Sequence, residues 1–473
     1  MKFYNRKKEL EILQTHWQHS ELVADVLTGR RRIGKTQLAL EFAKGKKFFY
    51  FFVGRKSLPA LLEEWAGILR SIYPEVTVFR NLDEFLKVLF LSIKKEKVLI
   101  IFDEFQNFKY FYPAAFSEFQ KHIDLNLKIS RAHILFLGSA VSMIEKIFID
   151  KKEPLFGRTT RVINLKPFDF LLISKILSDL GYQKNIQLFF DIYAIFNGIP
   201  KYYALLEKEV KLNQTLKDIM LNFFYQEDAP LKQEGTALLQ QEFGQDYTRY
   251  FDILTYMAQG ATQINEIAGK LNIAANKLAV YLSRLEKNYY LIEKRAPVLI
   301  KKSIRARYYL KDVFLQFWFR YIYRNLSYIE KADSRLLYVL TQKDWSNFQG
   351  KIFEDLILDL IRCYNVKINK NFQFKEVGRF WDRKGEVEID FVGVGIDKTE
   401  VCLGEIKLNN KRINQALIKD LKQKAGLPVF SKFKNKKLFV FTLEKIPDNI
   451  EKLLEQENIL SLSLEQIYNQ LHS

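Results

Sequence analysis

Residues 29–36 read GRRRIGKT, and this match to G-x-x-x-x-G-K-[ST] restricts the possible folds more than any other stretch of the chain. Such a loop works only where a buried strand delivers it and a helix receives it. Residues 22–28, LVADVLT, are apolar enough for that strand, and residues 37–43, QLALEFA, have helical spacing. Gly29 and Gly34 let the backbone N–H groups of Arg30, Arg31, Arg32 and Ile33 curl around phosphates, and the helix that opens at Gln37 adds partial positive charge. Lys35 then reaches the β- and γ-phosphates, and the Thr36 hydroxyl ligates Mg2+. The competing reading, a Gly-Lys turn that matches by chance, explains neither flank. Arg30, Arg31 and Arg32 raise the local positive charge further and leave three uses open: nucleotide, a neighbouring subunit, or DNA.

With 473 residues, at roughly 150 residues per domain, the chain is long enough for about three domains. A hydrophobic content of 48% beside 27% charged residues supports sizeable cores and argues against disorder. Lys and Arg number 74 against 55 Asp and Glu, a net charge of +19 that points to a polyanion, nucleic acid before an anionic membrane surface. Lysine-rich codon usage would produce the same excess, so the charge needs a local patch before it means binding. Cys363 and Cys402 are the only cysteines and lack metal spacing, which argues against a zinc site or a disulfide framework. No apolar run approaches the roughly 18 residues of a membrane span, residues 1–8 lack a signal-peptide core, and the chain reads as cytosolic.

Phe3, Leu10 and Leu13 lie between charged positions, an amphipathic entry of the kind that can cover adenine in nucleotide-binding folds. Residues 47–53, KFFYFFV, predict a second strand, and 58–72 a helix that follows Ser57 with Pro59 in its first turn. Strands alternating with helices predict an α/β fold with a doubly wound parallel sheet. Residues 98–104, VLIIFDE, predict an apolar strand ending in two acids, the Walker B form. Asp103 at its carboxyl end can hold Mg2+ through water opposite Thr36, and Glu104 can orient and deprotonate the attacking water. Residues 134–139 predict a third strand, on which Ser139 either senses the γ-phosphate or caps the helix from Val141. Arg158 is a candidate arginine finger, acting across a homo-oligomer, or one more surface arginine. Residues 168–180, the loop 197–202 and the helix after it predict a helical lid.

Phe3-Tyr4-Asn5-Arg6 with Glu9-Leu10, GRRRIGKT, IIFDEFQ, FLGSAVSM, PLFGRTTR and NGIPKYY occur in that order, and together they resemble the archaeal-type P-loop ATPase family, related to the AAA+ and STAND ATPases. The resemblance spans residues 1–225 and implies ATP as cofactor, ATP hydrolysis, and a lid contact around Pro200. Asn197-Gly198 departs from it, because relatives more often show two glycines there.

Residues 226–243 read as a polar connector. Helices at 250–258, 262–271 and 276–287, then strand-like runs at 290–295 and 305–310, predict a winged helix-turn-helix over residues 226–330. Its wing, 294–307, concentrates Lys294, Arg295, Lys301, Lys302, Arg305 and Arg307, a local patch whose phosphate contacts would give DNA affinity without sequence readout. Winged helices also serve as spacers between domains, and 276–287 offers no base-reading array, so both uses stay open. The aromatic run 312–320 reads as core rather than as a stacking platform for bases, and it resembles the family signature that closes the winged helix.

Residues 340–473 predict a C-terminal α/β domain, with a helix at 350–361 and strands at 372–380, 386–394 and 400–407. Period-two alternation puts Glu388 with Asp390, and Glu405 with Lys407, each pair on one strand face. With Glu354 on the preceding helix and a basic helix at 411–424, this is the D…E-x-K arrangement of a restriction-endonuclease-like fold. Asp390 and Glu405 would hold Mg2+ or Mn2+ against a scissile phosphate, and Lys407 would stabilise or deprotonate the attacking water. A solvated hairpin of alternating charges is the alternative. GKIFEDLI, EVEIDFV and CLGEIKL are similar to a C-terminal domain that many archaeal-type ATPases carry. Two functions follow: an ATP-hydrolysing, DNA-binding protein whose nucleotide state controls a nuclease-like domain, or an ATP-switched regulator whose C-terminal domain grips nucleic acid without cutting it.

Overall fold

The parallel sheet expected from alternating strands and helices forms in the N-terminal part of the computed structural model, which describes residues 2–76, 78–93, 96–209, 214–243, 247–300, 306–331, 333–364 and 373–472. Strands β1 (Val23–Thr28), β2 (Phe48–Phe52), β3 (Leu99–Asp103), β4 (His133–Gly138) and β5 (Arg161–Asn164) pair in parallel in the order β2-β3-β4-β1-β5. β1, β3 and β4 are buried along their whole length, as strands covered on both faces must be, which is why they read as unbroken apolar runs. The order places β4 between the strand that feeds the phosphate loop and the strand that ends in Asp103. The carboxyl ends of β1, β3 and β4 therefore lie side by side, where ligands bind in sheets of this kind.

Alternation along β3 sends Phe102 into an aromatic cluster and Asp103 to the opposite face. In that cluster the Phe105 and Phe136 rings lie 4.4 Å apart, Phe102 and Phe119 4.9 Å, and Trp65 and Phe85 4.9 Å. Burial of each such side chain contributes about 2 kcal/mol, enough to make this layer a stiff base for the strand ends. The helices Leu58–Arg70, Leu82–Ser92 and Ala115–Asn126 cover this face of the sheet with Trp65, Phe85 and Phe119 among their buried side chains.

The chain divides into two compact units, one of Met1–Phe168, Ile199–Lys208 and Ser283–Tyr290, the other of Asp169–Gly198, Glu209–Leu282 and Leu291–Ser473. In the second unit the run that begins with the helix Val313–Phe317 is core: Phe314, Leu315, Phe317, Trp318 and Phe319 are all 0% exposed. Helices Tyr247–Ala258, Ile264–Leu271 and Ala275–Lys287 precede an antiparallel pair, β6 (Ile292–Arg295) and β7 (Arg307–Leu310). The helix Ser334–Tyr364 leads into a second sheet of β8 (Phe374–Trp381), β9 (Glu388–Gly395), β10 (Glu400–Lys407), β11 (Asn435–Thr442) and β12 (Ile459–Ser463). β8, β9 and β10 are antiparallel neighbours, while β10, β11 and β12 run parallel, with the helices Gln415–Ala425 and Asp448–Gln456 in the connections.

Two cations of the expected wing patch are paired in the structure. Lys301, Lys302 and Arg305 lie outside the described residues. Arg295 and Arg307 are not open cations, because Arg295 pairs with Asp355 and Arg307 with Glu388, each at 2.6 Å. The cause is Val298, which is buried in the core of the C-terminal sheet and donates its N–H to the Arg379 carbonyl at 2.9 Å. That anchor draws the basic strands onto the carboxylates beneath them. No described helix is long and apolar enough to cross a membrane.

Candidate functional site

The helix Lys35–Ala43 starts from Gly34 at φ 93, and Gly29 sits at φ 147, where a Cβ would lie 2.8 Å from the Leu165 carbonyl oxygen. Only glycine takes both backbones without strain. Lys35 is buried and folded back over the loop, donating to the Gly29 and Arg30 carbonyls at 2.8 and 3.0 Å. Thr36 Oγ1 donates to Asp103 Oδ2 at 2.6 Å, and the Tyr50 hydroxyl donates to the same oxygen at 2.7 Å. Asp103 Oδ1 accepts the Glu104 N–H at 2.8 Å, so both carboxylate oxygens are held in place. Burial, with Asp103 beside it, pushes the Tyr50 phenol above its ordinary range and keeps it a donor.

Glu104 adopts φ 55, a left-handed conformation that costs a non-glycine residue free energy and recurs at functional sites. Its Oε2 accepts from Ser139 Oγ at 2.7 Å and from Gln106 Nε2. Ser139 thus grips Glu104 instead of capping a helix, since the helix Val141–Ile149 starts from Ala140.

Lys35, Thr36 and Glu104 border a cavity of about 670 Å³. Arg31, Arg32, Gly34, Thr36, Gln37 and Pro200 line it, with Phe3 and Tyr4 from the N-terminal segment. Seven lining side chains are basic, Lys2, Arg6, Arg31, Arg32, Lys35, Lys201 and Lys208, against one acid, Glu104. That imbalance suits a polyphosphate, and the Thr36 hydroxyl beside the Asp103 carboxylate offers the hard oxygen ligands that Mg2+ prefers. Arg6 donates to the Lys166 and Ile33 carbonyls at 2.8 and 3.3 Å and lies 4.8 Å from the centre of the Phe168 ring, tying the N-terminal segment to the loop. Ile33 itself is fully buried. Arg158 is not brought here: it pairs with Asp124 at 3.2 Å and donates to the Phe156 carbonyl.

In the second unit, Asp390 on β9 and Glu405 on β10 converge on Lys407, whose Nζ lies 3.0 Å from Asp390 Oδ2 and 2.6 Å from Glu405 Oε2. The Ile406 N–H donates to Asp390 at 3.0 Å, and Lys424 reaches Glu405 Oε1 at 2.9 Å. Burial opposes the charged form of Asp390, but Lys407 and the Ile406 N–H outweigh it and hold the carboxyl below its usual range. Burial and the neighbouring Asp390 push Glu405 up. Lys407 is raised by the two carboxylates despite its own burial. Glu354 pairs with Arg379 at 2.9 Å, and its burial, with Asp390 adding to it, lifts its carboxyl to about 7. No group of three or more His, Cys, Asp and Glu side chains able to hold a metal occurs among the described residues.

Residues 3–206 match a family described as an ATPase domain predominantly from Archaea, and residues 318–419 match one described as archaeal and bacterial proteins of unknown function. An uncharacterised protein of Methanocaldococcus jannaschii is 30% identical over 429 residues, 90% of this chain and 92% of that protein. The chain belongs to the archaeal-type P-loop ATPase family. An uncharacterised ATP-binding protein of the same organism is 47% identical over 45 residues, 10% of this chain and 76% of that protein. The Walker-type ATPase of Pyrococcus abyssi superposes with a TM-score of 0.50 at 17% identity, covering 67% of this chain and 96% of that one, a likeness of fold.

Three side chains of this archaeal-type ATPase have site contacts that sequence reasoning did not single out. Tyr50 stands in an otherwise aromatic strand, and its hydroxyl is the only signal there. Gln106 lies two residues past Glu104, and Arg379 is one basic residue of β8.

Proposed function

We propose that the N-terminal site binds ATP with Mg2+ and hydrolyses it. The observation that carries this reading is the 2.6 Å contact between Thr36 and Asp103 at the edge of a cavity with seven basic side chains. Lys35 exchanges two neutral carbonyl acceptors for phosphate oxygens, a gain in charge-assisted hydrogen bonding. Thr36 and Asp103 would hold Mg2+, which supplies neutralisation of charge developing on the phosphates. Glu104, released from Ser139 and Gln106, accepts a proton from the attacking water. Glu104→Gln should still bind ATP while turnover falls about 10²–10⁴-fold; turnover equal to the parent's would sink the assignment.

The same proposal reads residues 226–330 as a winged helix and residues 340–473 as a restriction-endonuclease-like domain that acts on DNA. Its support is the convergence of Asp390 and Glu405 on Lys407. Asp390 and Glu405 would hold Mn2+ or Mg2+, which would supply neutralisation of the charge developing on the phosphate, and Lys407 would stabilise or deprotonate the attacking water. Plasmid, linear duplex and single-stranded DNA incubated with Mn2+, with and without ATP, test it. Cleavage of any of these that is lost in Glu405→Ala supports the nuclease. No cleavage by wild type, or cleavage that persists in the variant, leaves the ATP-switched regulator.

A further inference from the structure

Beside Glu354 and Asp390 the second unit encloses a cavity of about 250 Å³. Arg307 and Tyr309 of β7, Lys351 of the long helix and Trp381 of β8 form its walls. The β6–β7 side of it is fastened down. Besides the Arg295–Asp355 and Arg307–Glu388 pairs, Val298 packs where Gly378 leaves room, since a Cβ there would lie 2.8 Å from Val298 Cγ2.

The charges in the wall are matched except at one point. Glu354 and Asp355 pair with Arg379 at 2.9 and 3.0 Å, Glu388 with Arg307, Asp390 with Lys407, and Arg320 with Asp344. Lys351 has no ion-pair or hydrogen-bond partner among the described residues. Its ammonium stands over Gly260, 2.6 Å from where a Cβ would be, and Arg379 Nε in the same wall is buried without a partner. Burial, with Arg320 and Arg379 close by, lowers the Lys351 ammonium below its ordinary range, and Glu354 opposes that. A cation in that position gains more from an anion than from water.

We propose that this cavity takes one unpaired nucleotide, its phosphate on Lys351 and its base against the wall of Tyr309 and Trp381, so that the carboxylate site serves single-stranded DNA rather than intact duplex. The inference rests on the nuclease-like reading of Asp390, Glu405 and Lys407 and names its substrate class. Volume is the first reason. About 250 Å³ falls just below the roughly 300 Å³ at which drug-sized ligand sites begin, and it has no room for a base-paired step. Energy is the second: a base inside a duplex must be unstacked and unpaired before it can enter, at a cost of a few kcal/mol, and a single strand avoids that. The fastened hairpin is the third, because it keeps the mouth from widening to admit both strands.

The test is fluorescence anisotropy of the full chain without divalent metal, using a labelled single-stranded oligonucleotide and the blunt duplex of the same sequence. Wild type should favour the single strand about tenfold. Lys351→Gln should cost single-strand binding about three- to tenfold and leave duplex binding and the unfolding temperature unchanged, as loss of one phosphate contact does. Equal affinity for the two DNAs, or single-strand binding that survives Lys351→Gln, overturns the proposal. Cleavage with Mn2+ then separates the two readings. Cutting confined to single strands supports both, and cutting of duplex as fast as single strand overturns the substrate class. Lys351-dependent single-strand binding without any cleavage removes the nuclease and upholds the cavity's ligand.

Discussion

Tyr50→Phe removes one hydroxyl from the N-terminal site and keeps the ring that packs in β2. In the present geometry Asp103 Oδ2 accepts from Thr36 at 2.6 Å and from Tyr50 at 2.7 Å. Were Thr36 to turn to Mg2+, as proposed, Tyr50 would be the side-chain donor that remains on that oxygen. Losing an outer partner of a metal ligand costs about 10–100-fold in metal affinity, or ~1.4–2.7 kcal/mol. The lower figure applies here, because Asp103 Oδ1 keeps the Glu104 N–H at 2.8 Å and the carboxylate does not swing free. The lost hydrogen bond alone costs stability about 1 kcal/mol, too little to unfold the chain. The assay is a titration of a fluorescent ATP analogue with and without Mg2+, followed by a Mg2+ titration at saturating nucleotide. Affinity without Mg2+ should match the parent, and half-maximal Mg2+ should rise about tenfold. An unchanged Mg2+ requirement would refute the reasoning. So would an equal loss of nucleotide affinity with and without the metal, since that would make Tyr50 part of the pocket rather than a support for Asp103.

Asp191 gives a pH-dependent prediction. Its carboxyl is buried among the neutral donors Gln187, Trp345 and Gln349, and burial raises it from 3.8 to about 7. A raised acid is neutral in the fold more readily than in the unfolded chain, so stability is full below the ordinary value and is lost as pH climbs towards 7. At 1.36 kcal/mol per pH unit the upper bound is about 4 kcal/mol, and Asp191→Asn should recover part of it at pH ~8 and little at pH ~4, read by denaturant unfolding. Gly138→Ala should destabilise by about 1–3 kcal/mol and slow ATP turnover, because the added Cβ would lie 2.2 Å from Ile144 and 2.6 Å from the Gln106 side chain that holds Glu104. Unaltered unfolding and turnover would show that the end of β4 has slack.

What could be read in the sequence was what is local. GRRRIGKT and VLIIFDE announce themselves because a phosphate loop needs glycines at set positions and a metal site needs an acid at a strand end. Strands buried on both faces read as apolar runs, so β1, β3 and β4 were visible, and so were the two strands that carry Asp390, Glu405 and Lys407. Tyr50 was hidden because a tyrosine within FFYFF looks like core, and only its pairing across to β3 brings the hydroxyl to Asp103. Two cations of the expected basic patch were misjudged for a related reason. Arg295 and Arg307 look like open cations until Val298 is placed in the C-terminal sheet, where Arg295 meets Asp355 and Arg307 meets Glu388. Arg158 likewise has no visible partner until the helix Ala115–Asn126 presents Asp124. Contacts between residues far apart in sequence leave no periodic trace, and they decide which charges stay free.

ATP turnover by the full chain with Mg2+, compared between wild type and Lys35→Ala, tests the central claim most directly. Lys35 is only 6% exposed, and its ammonium is held at the mouth of the phosphate loop by two neutral carbonyls that a phosphate would replace. Wild type should hydrolyse ATP, and the variant should lose about 10²-fold or more of that rate, the scale set by removal of one donor to a developing charge. A Lys35→Ala protein that hydrolyses ATP as fast as its parent would contradict the assignment of this loop as the catalytic phosphate site.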